Sequence, residues 1–366
     1  MRFTRLLFNV HRWLGLLAGL FLLAMGLSGS ALVFKPELEN ALRPTATTGS
    51  GPMVSLDAIY RDVARRYPRL RGIAVTHFPQ HPADTYELRL YGNDGNPHTY
   101  DLHAVYVDPH TGRIVREGSY RQWGGGALNW LLQLHYCGQW GLPGMLLTAG
   151  LGLLGLLSCL TGLIVYRKHV LQALLLRVPL SRAAGRRRTS GLHRVVGSWT
   201  VLFNSLIFFT GFWMNRSAFE SASWVRATQA AAPNVLFPQS AVQLLQAGLA
   251  ASPLQPTFVY LPTTATGTFR VSGKPAGSPA LYGEQAVAVS LNPRTGRVEE
   301  VSRASEATGS DWLEAVAPAL HFGSVGGWPL RVLYAVGGLA PGVLALSGFA
   351  LWRRRRFRRA LRLVAS

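Results

Sequence analysis

The stretch from His11 to Gly29, HRWLGLLAGLFLLAMGLSG, decides how the rest of the chain is read. It is apolar enough to enter a bilayer, yet it opens on an imidazole and carries a stripe of small residues. Around it lie 366 residues, 48% of them hydrophobic and only 15% charged. That is a membrane protein's composition and not a soluble enzyme's. The hydrocarbon core demands roughly 20 apolar residues per crossing, and runs of that kind occur at about 12–34, 142–166, 194–214 and 329–352. Four transmembrane helices are expected. Arg2 and Arg5 ahead of an apolar run closing on Ser28-Gly29-Ser30-Ala31 would also suit a signal peptide. The run is long for such a core, and a later segment repeats its pattern, which favours a span.

The net charge of +20 invites a nucleic-acid reading, but the arginines crowd beside the spans instead of forming a binding surface. They stand at Arg2, Arg5 and Arg12, at Arg167, Lys168, Arg177, Arg182 and Arg186 to Arg188, and at Arg353 to Arg356, Arg358, Arg359 and Arg362. No nucleic-acid partner is expected; the lipid bilayer is. Short basic loops stay inside, so both termini and the loop over 167–193 are expected in the cytoplasm of a bacterium, the protein sitting in its inner membrane. The expected organisation is a first span within 1–34, a periplasmic domain over 35–126, an interfacial segment and second span over 127–169, and a basic cytoplasmic loop over 170–192. A third span over 193–215, a second periplasmic domain over 216–311, an interfacial segment and fourth span over 312–356 and a basic tail over 357–366 complete it. Two cysteines, Cys137 and Cys159, build neither a disulfide framework nor a thiolate metal cluster.

The chain reads as two copies of one unit. With His11 on His193, the first and third spans align without a gap: Arg12 meets Arg194, Gly15 meets Gly197, and Ser28-Gly29 meets Thr210-Gly211. With His135 on His321, the second and fourth align: Pro143 meets Pro329 and Thr161-Gly162 meets Ser347-Gly348. Between spans, AVYVDPHTGRIVRE (104–117) answers AVSLNPRTGRVEEV (288–301), each an alternating apolar run through an Asp-Pro or Asn-Pro turn, the pattern of a hairpin. A helix-period stretch at 56–67 with strand-like 71–78 and 84–91, and its counterpart at 242–249 with 257–261 and 267–272, complete two small α+β domains.

These residues resemble a known family. The helix and strands closing on VDPHTGR and LNPRTGR look like the PepSY domain, and the openings HRWLGL and HRVVGS resemble the PepSY-associated transmembrane helix family. The fold class expected is a mainly α membrane protein, a four-transmembrane-helix bundle built from two repeats with two periplasmic α+β PepSY-like domains. The resemblance implies iron uptake, where some members are haem-containing reductases of ferric siderophores. It also leaves open a non-enzymatic membrane sensor or peptidase regulator, since PepSY domains accompany peptidases elsewhere, and a zinc or haem importer.

Of ten histidines, His77, His81, His98, His103 and His110 fall in the first external domain and are expected to be solvated. The other five, His11, His135, His169, His193 and His321, sit at span edges, where ionisable residues are costly and point to function. Structural zinc wants four ligands; haem iron needs two axial imidazoles on facing helices and an apolar slot. Two haem b groups are expected, with His135 facing His321 near the outer surface as the safer pair and His11 facing His193 near the inner one. His169 has no counterpart, Arg355 standing in its place; it is an alternative to His11, a propionate contact or a bystander. Arg12 and Arg194 are candidates to neutralise propionates, and Asn204, polar at mid-depth, should have a hydrogen-bond partner. Trp123, Trp130, Tyr136, Trp140 and Trp328 read as an interfacial aromatic belt. No catalytic side chain stands out, and no nicotinamide or flavin fingerprint appears, so the electron donor is expected to be a quinol or another protein and the acceptor a periplasmic ferric siderophore or other oxidant.

Overall fold

The computed structural model of the chain describes residues 2–46, 51–92, 102–122, 126–178, 186–229 and 232–364. His98, Trp123 and Arg182 lie outside the described residues. In chain order the first half runs α1 (Arg2–Leu32), α2 (Lys35–Leu42), α3 (Leu56–Arg66), β1 (Leu70–His77), β2 (Tyr86–Gly92), β3 (Leu102–Val107), β4 (Ile114–Ser119), α4 (Ala127–Cys137), α5 (Gly141–Tyr166) and α6 (Val170–Leu174). The second half runs α7 (Arg186–Met214), α8 (Ser221–Ala227), α9 (Ala241–Ala251), β5 (Gln255–Pro262), β6 (Phe269–Lys274), β7 (Val287–Leu291), β8 (Val298–Arg303), α10 (Gly309–Phe322), α11 (Gly327–Gly338) and α12 (Ala340–Val364). These elements form two compact units. A bundle unit comprises Met1–Phe34, Leu147–Arg216 and Leu320–Ser366, and a sheet unit comprises Lys35–Leu146 and Ser217–Ala319.

Four helical stretches are long and apolar enough to cross a membrane: Phe3–Leu32, Gly141–Tyr166, Arg188–Met214 and Ser324–Phe357. They cover the four apolar runs read from the sequence. The last departs from the single helix expected, because α11 ends at Gly338 and α12 begins at Ala340. Pro341 is the cause. It has no N–H to offer the Gly337 carbonyl four residues earlier, and its ring crowds that carbonyl. Leu339 N–H turns back instead to the Val336 carbonyl at 3.2 Å, and α-helical bonding resumes with Val343 N–H on the Leu339 carbonyl at 3.2 Å.

Within the bundle unit, α12 packs against both α1 and α7. Where lipid removes any hydrophobic incentive to associate, close backbone approach at small residues must hold helices together. A Cβ at Gly26 would stand 2.5 Å from the Gly338 carbonyl oxygen, and one at Gly19 would stand 3.3 Å from the Ala345 Cβ. The small residues of the opening stretch therefore serve α1 and the fourth span as a contact seam.

The sheet unit holds one eight-stranded antiparallel sheet in the order β4-β3-β2-β1-β5-β6-β7-β8. The two small external domains expected from sequence are therefore halves of one sheet. Their inner edges meet at β1 and β5, in the register Ile73 to Leu261 and Ala74 to Tyr260. An unpaired edge is a liability, and each four-stranded meander removes one by accepting the other. Helices α3 and α9 contribute Leu56, Ile59, Tyr60, Val63, Ala241 and Leu244 to a continuous core with Ile73, Val75, Leu88, Val259, Leu261 and Val289.

Side chains tie the halves across this junction. Asp57 of α3 accepts from the Ala241 N–H at 2.6 Å and the Ser240 hydroxyl at 2.7 Å, capping α9 from the other half. Tyr60 donates to the Pro262 carbonyl at 2.7 Å, and Thr263 donates to the Leu70 carbonyl at 2.6 Å. The ring of Tyr260 lies directly over Gly72, where any Cβ would collide with it, and its hydroxyl donates to the Arg71 carbonyl at 2.9 Å. Gly72→Ala is expected to destabilise the sheet unit by about 1–3 kcal/mol. In a Tyr260→Ala background the same change should cost nearly nothing. Thermal melting of the full chain checks this, and equal losses in both backgrounds would contradict the contact.

Candidate functional site

The imidazoles of His11 on α1 and His193 on α7 stand with ring centroids 6.3 Å apart and planes at 80°. Each is held by the neighbouring span. His11 Nδ1 lies 3.0 Å from the Ser158 carbonyl and 3.3 Å from Thr161 Oγ1, both on α5. A carbonyl only accepts, so Nδ1 of His11 carries the proton. His193 Nδ1 lies 2.8 Å from Ser347 Oγ on α12. That hydroxyl donates its single proton to the Val343 carbonyl at 2.7 Å, so it meets the imidazole as an acceptor.

His321, near the end of α10, repeats the arrangement with Thr210 of α7. Its Nδ1 is 2.9 Å from Thr210 Oγ1, and that hydroxyl donates to the Leu206 carbonyl at 2.7 Å. In each case a glycine follows the hydroxyl residue, and at Gly162 and Gly211 it makes room for the ring. A Cβ at Gly162 would come 3.0 Å from His11 Cε1, one at Gly211 would come 3.2 Å from His321 Cε1, and one at Gly348 would come 3.5 Å from His193 Cε1. The Thr-Gly and Ser-Gly pairs noticed in the alignment are thus imidazole cradles. Sequence reading had them only as repeat markers at helix ends. Their signal was present: a hydroxyl followed by glycine, repeated at matching positions opposite repeated histidines. His135, which the alignment sets against His321, lies half-buried on α4 in the sheet unit.

With Nδ1 protonated, the unprotonated nitrogen of each ring is Nε2, the form a metal takes. Two metal–nitrogen bonds of about 2 Å, each with about 1 Å more from nitrogen to ring centre, set ring centroids about 6 Å apart. The pair His11 and His193 has that spacing. Among the described residues no three His, Cys, Asp or Glu side chains converge on a point. A metal that demands four protein ligands is therefore poorly served here, whereas one already held by a macrocycle needs only these two. No Asp or Glu occurs anywhere in the bundle unit's sequence, so the pair can gain no carboxylate from it. A Cβ at Gly15, one turn below His11, would meet nothing within 4 Å.

The remaining candidates divide. Asn204 is buried on α7; its amide donates to Thr200 Oγ1 at 3.0 Å, while Oδ1 is buried without a partner. Half of the expected satisfaction is supplied by its own helix, and an acceptor is left over. Arg194 is exposed, with its guanidinium 5.3 Å from the centre of the Tyr166 ring. Arg12 is half-buried, 5.5 Å from the Trp13 ring, and its Nε is buried without a partner. His169 is exposed before α6, its Nδ1 3.2 Å from Gln172 Oε1 of the same turn. It is His11, and not His169, whose ring faces His193.

Sequence reading missed a second polar cluster, in the sheet unit. The Tyr67 hydroxyl donates to Glu117 Oε2 at 2.6 Å and lies 3.2 Å from His103 Nε2, while Arg66 bonds both carboxylate oxygens of Glu117. Arg66 holds the Glu117 carboxyl below the ordinary range. Burial, reinforced by Glu117, pushes the Tyr67 phenol up to about 12, and burial lowers His103. His77 is likewise built in, with Nε2 2.7 Å from Asp84 Oδ2. These two histidines are therefore not free in solvent as expected, because strand alternation turns them toward partners that lie far off in sequence or across a turn.

Residues 8–355 match the family described as the PepSY-associated TM region. No curated protein matches the chain. Ser347→Ala should cost about 1 kcal/mol for the lost hydrogen bond and shift the His193 Nδ1–H signal, the Leu344 carbonyl remaining beside the ring. In the full chain, 15N shifts of the labelled histidines read this directly. An unchanged Nδ1–H signal in the variant would contradict the cradle.

Proposed function

The chain belongs to the PepSY-associated TM region family, and on that premise we propose that it is a di-haem b electron-transfer protein of the bacterial inner membrane. Its acceptor is periplasmic and its favoured role is ferric siderophore reduction in iron uptake. In this reading the chain is a duplicated unit with both termini in the cytoplasm, and the sheet unit is a pair of PepSY-like domains on the outer side. The observation that carries the reading is the His11 and His193 pair, 6.3 Å between ring centres with both Nδ1 atoms tied back to neighbouring spans.

Haem, when bound, supplies one-electron chemistry between ferric and ferrous iron. The chain's own residues do the rest. Ser158, Thr161 and Ser347 hold the Nδ1 protons of the two imidazoles, which leaves the Nε2 lone pair of each neutral ring to face a metal. Hydrogen bonding at Nδ1 also raises ligand basicity, which favours the ferric form and sets the potential lower than free imidazole would. Arg12 and Arg194 would offset propionate charge, and Asn204 Oδ1 is a buried acceptor on the same helix as His193. His321, cradled by Thr210, would be a ligand of the second haem. The donor is a quinol or a protein. Each electron delivered outside converts one ferric ion to ferrous, which hard oxygen ligands hold less tightly.

Supporting features are the four spans, the imidazole cradles and an acid-free bundle. Purified protein is expected to show a Soret band that shifts with dithionite and a pyridine haemochrome value of two haems per chain. His193→Ala should lower that value to one. A correctly folded but colourless preparation would defeat the proposal and leave the sensor reading standing.

A further inference from the structure

At the basic ends of the spans, between the first turns of α1 and the arginine run of α12, lies a cavity of about 480 Å³. Arg5, Arg12, Arg355 and Arg356 line it together with Phe8 and Trp352, and no Asp or Glu does. The aromatic rings give the guanidiniums a floor. The Arg355 guanidinium carbon is 4.9 Å from the centre of Phe8 and that of Arg356 is 5.5 Å from Trp352. Arg12 Nε is buried there without a hydrogen-bond partner.

Four cations around one cavity repel one another, and the usual remedy is a carboxylate. Elsewhere the chain applies it, as where Arg66 meets Glu117 or Arg43 approaches Glu87. Here it cannot, because all the acids of the chain lie between Glu37 and Glu314 in the sheet unit and none lies in the bundle unit. An anion seated among these guanidiniums would relieve that repulsion. Guanidinium forks match phosphate oxygens, and basic pockets between spans at this depth suit anionic headgroups.

We propose that this cavity is a phosphate-binding site whose occupant is the headgroup of an anionic phospholipid, which would clamp the N-terminal turns of α1 to the C-terminal turns of the fourth span. The inference is independent of haem, and its test spares Arg12, which neighbours His11. Full-length protein in detergent is titrated with dioctanoyl phosphatidylglycerol, dioctanoyl phosphatidylcholine or inorganic phosphate, and bound species are counted by native mass spectrometry. Phosphatidylglycerol should bind well above phosphatidylcholine. The Arg5→Gln, Arg356→Gln double variant should bind it about thirtyfold more weakly, at about fivefold per arginine removed. An unchanged thermal melting temperature and a monodisperse elution profile show that the variant remains folded. Displacement of the lipid by millimolar inorganic phosphate would support the phosphate site and identify a soluble phosphate as its occupant. Equal binding of the two lipids, or a double variant that binds like the unaltered chain, would overturn the proposal.

Discussion

A serine or threonine hydroxyl inside a membrane span has one proton, and in this bundle it goes to the carbonyl four residues earlier. What is left is an acceptor of fixed direction, and the imidazoles of His193 and His321 are hung from such acceptors. His11 adds a backbone carbonyl on the same ring atom. At Gly162 and Gly211 the glycine that follows the hydroxyl lets the ring approach the next helix without strain. Tautomer, ring position and helix spacing are thus set by one dipeptide on an adjacent span. The facing of His11 and His193 depends on it, and with that the proposal that the pair would hold haem iron.

The bundle and the sheet solve opposite problems with the same economy. In lipid, α1 and the fourth span approach through small residues at Gly19, Gly26 and Gly338, since apolar bulk brings no advantage there. In the sheet unit, water drives association, and the two meanders bury a shared core of α3, α9 and eight strands. The joint between β1 and β5 needs a bare Gly72 under Tyr260 and the cap that Asp57 lends to α9.

Much of this was legible in the sequence. The four spans, the helix-period stretches that became α3 and α9, and the hairpins after residues 104 and 288 follow from hydropathy and period alone. The joining of two α+β domains into one sheet was not, because pairing between strands as far apart in sequence as Ile73 and Leu261 leaves no local periodicity. The break at Leu339 was readable from Pro341 but not weighed. Among the candidate residues, the repeat alignment singled out His11 and His193, whose rings the structure brings together, and held His135 and His321 to be the safer pair; nothing in residue spacing says which imidazoles a neighbouring hydroxyl will anchor. The cluster of Tyr67, His103 and Glu117 was hidden for a related reason, since its members come from a helix end and two strands and share no pattern.

The most direct measurement is electron paramagnetic resonance of the oxidised, purified full chain beside its His193→Ala variant. Two neutral imidazoles on one ferric iron with planes near the observed 80° give a low-spin signal of very large anisotropy. The expected result is that signal in the unaltered protein and its replacement by a high-spin signal at one haem in the variant. A spectrum identical in the two proteins, or one with no low-spin ferric haem at all, would contradict ligation by His11 and His193.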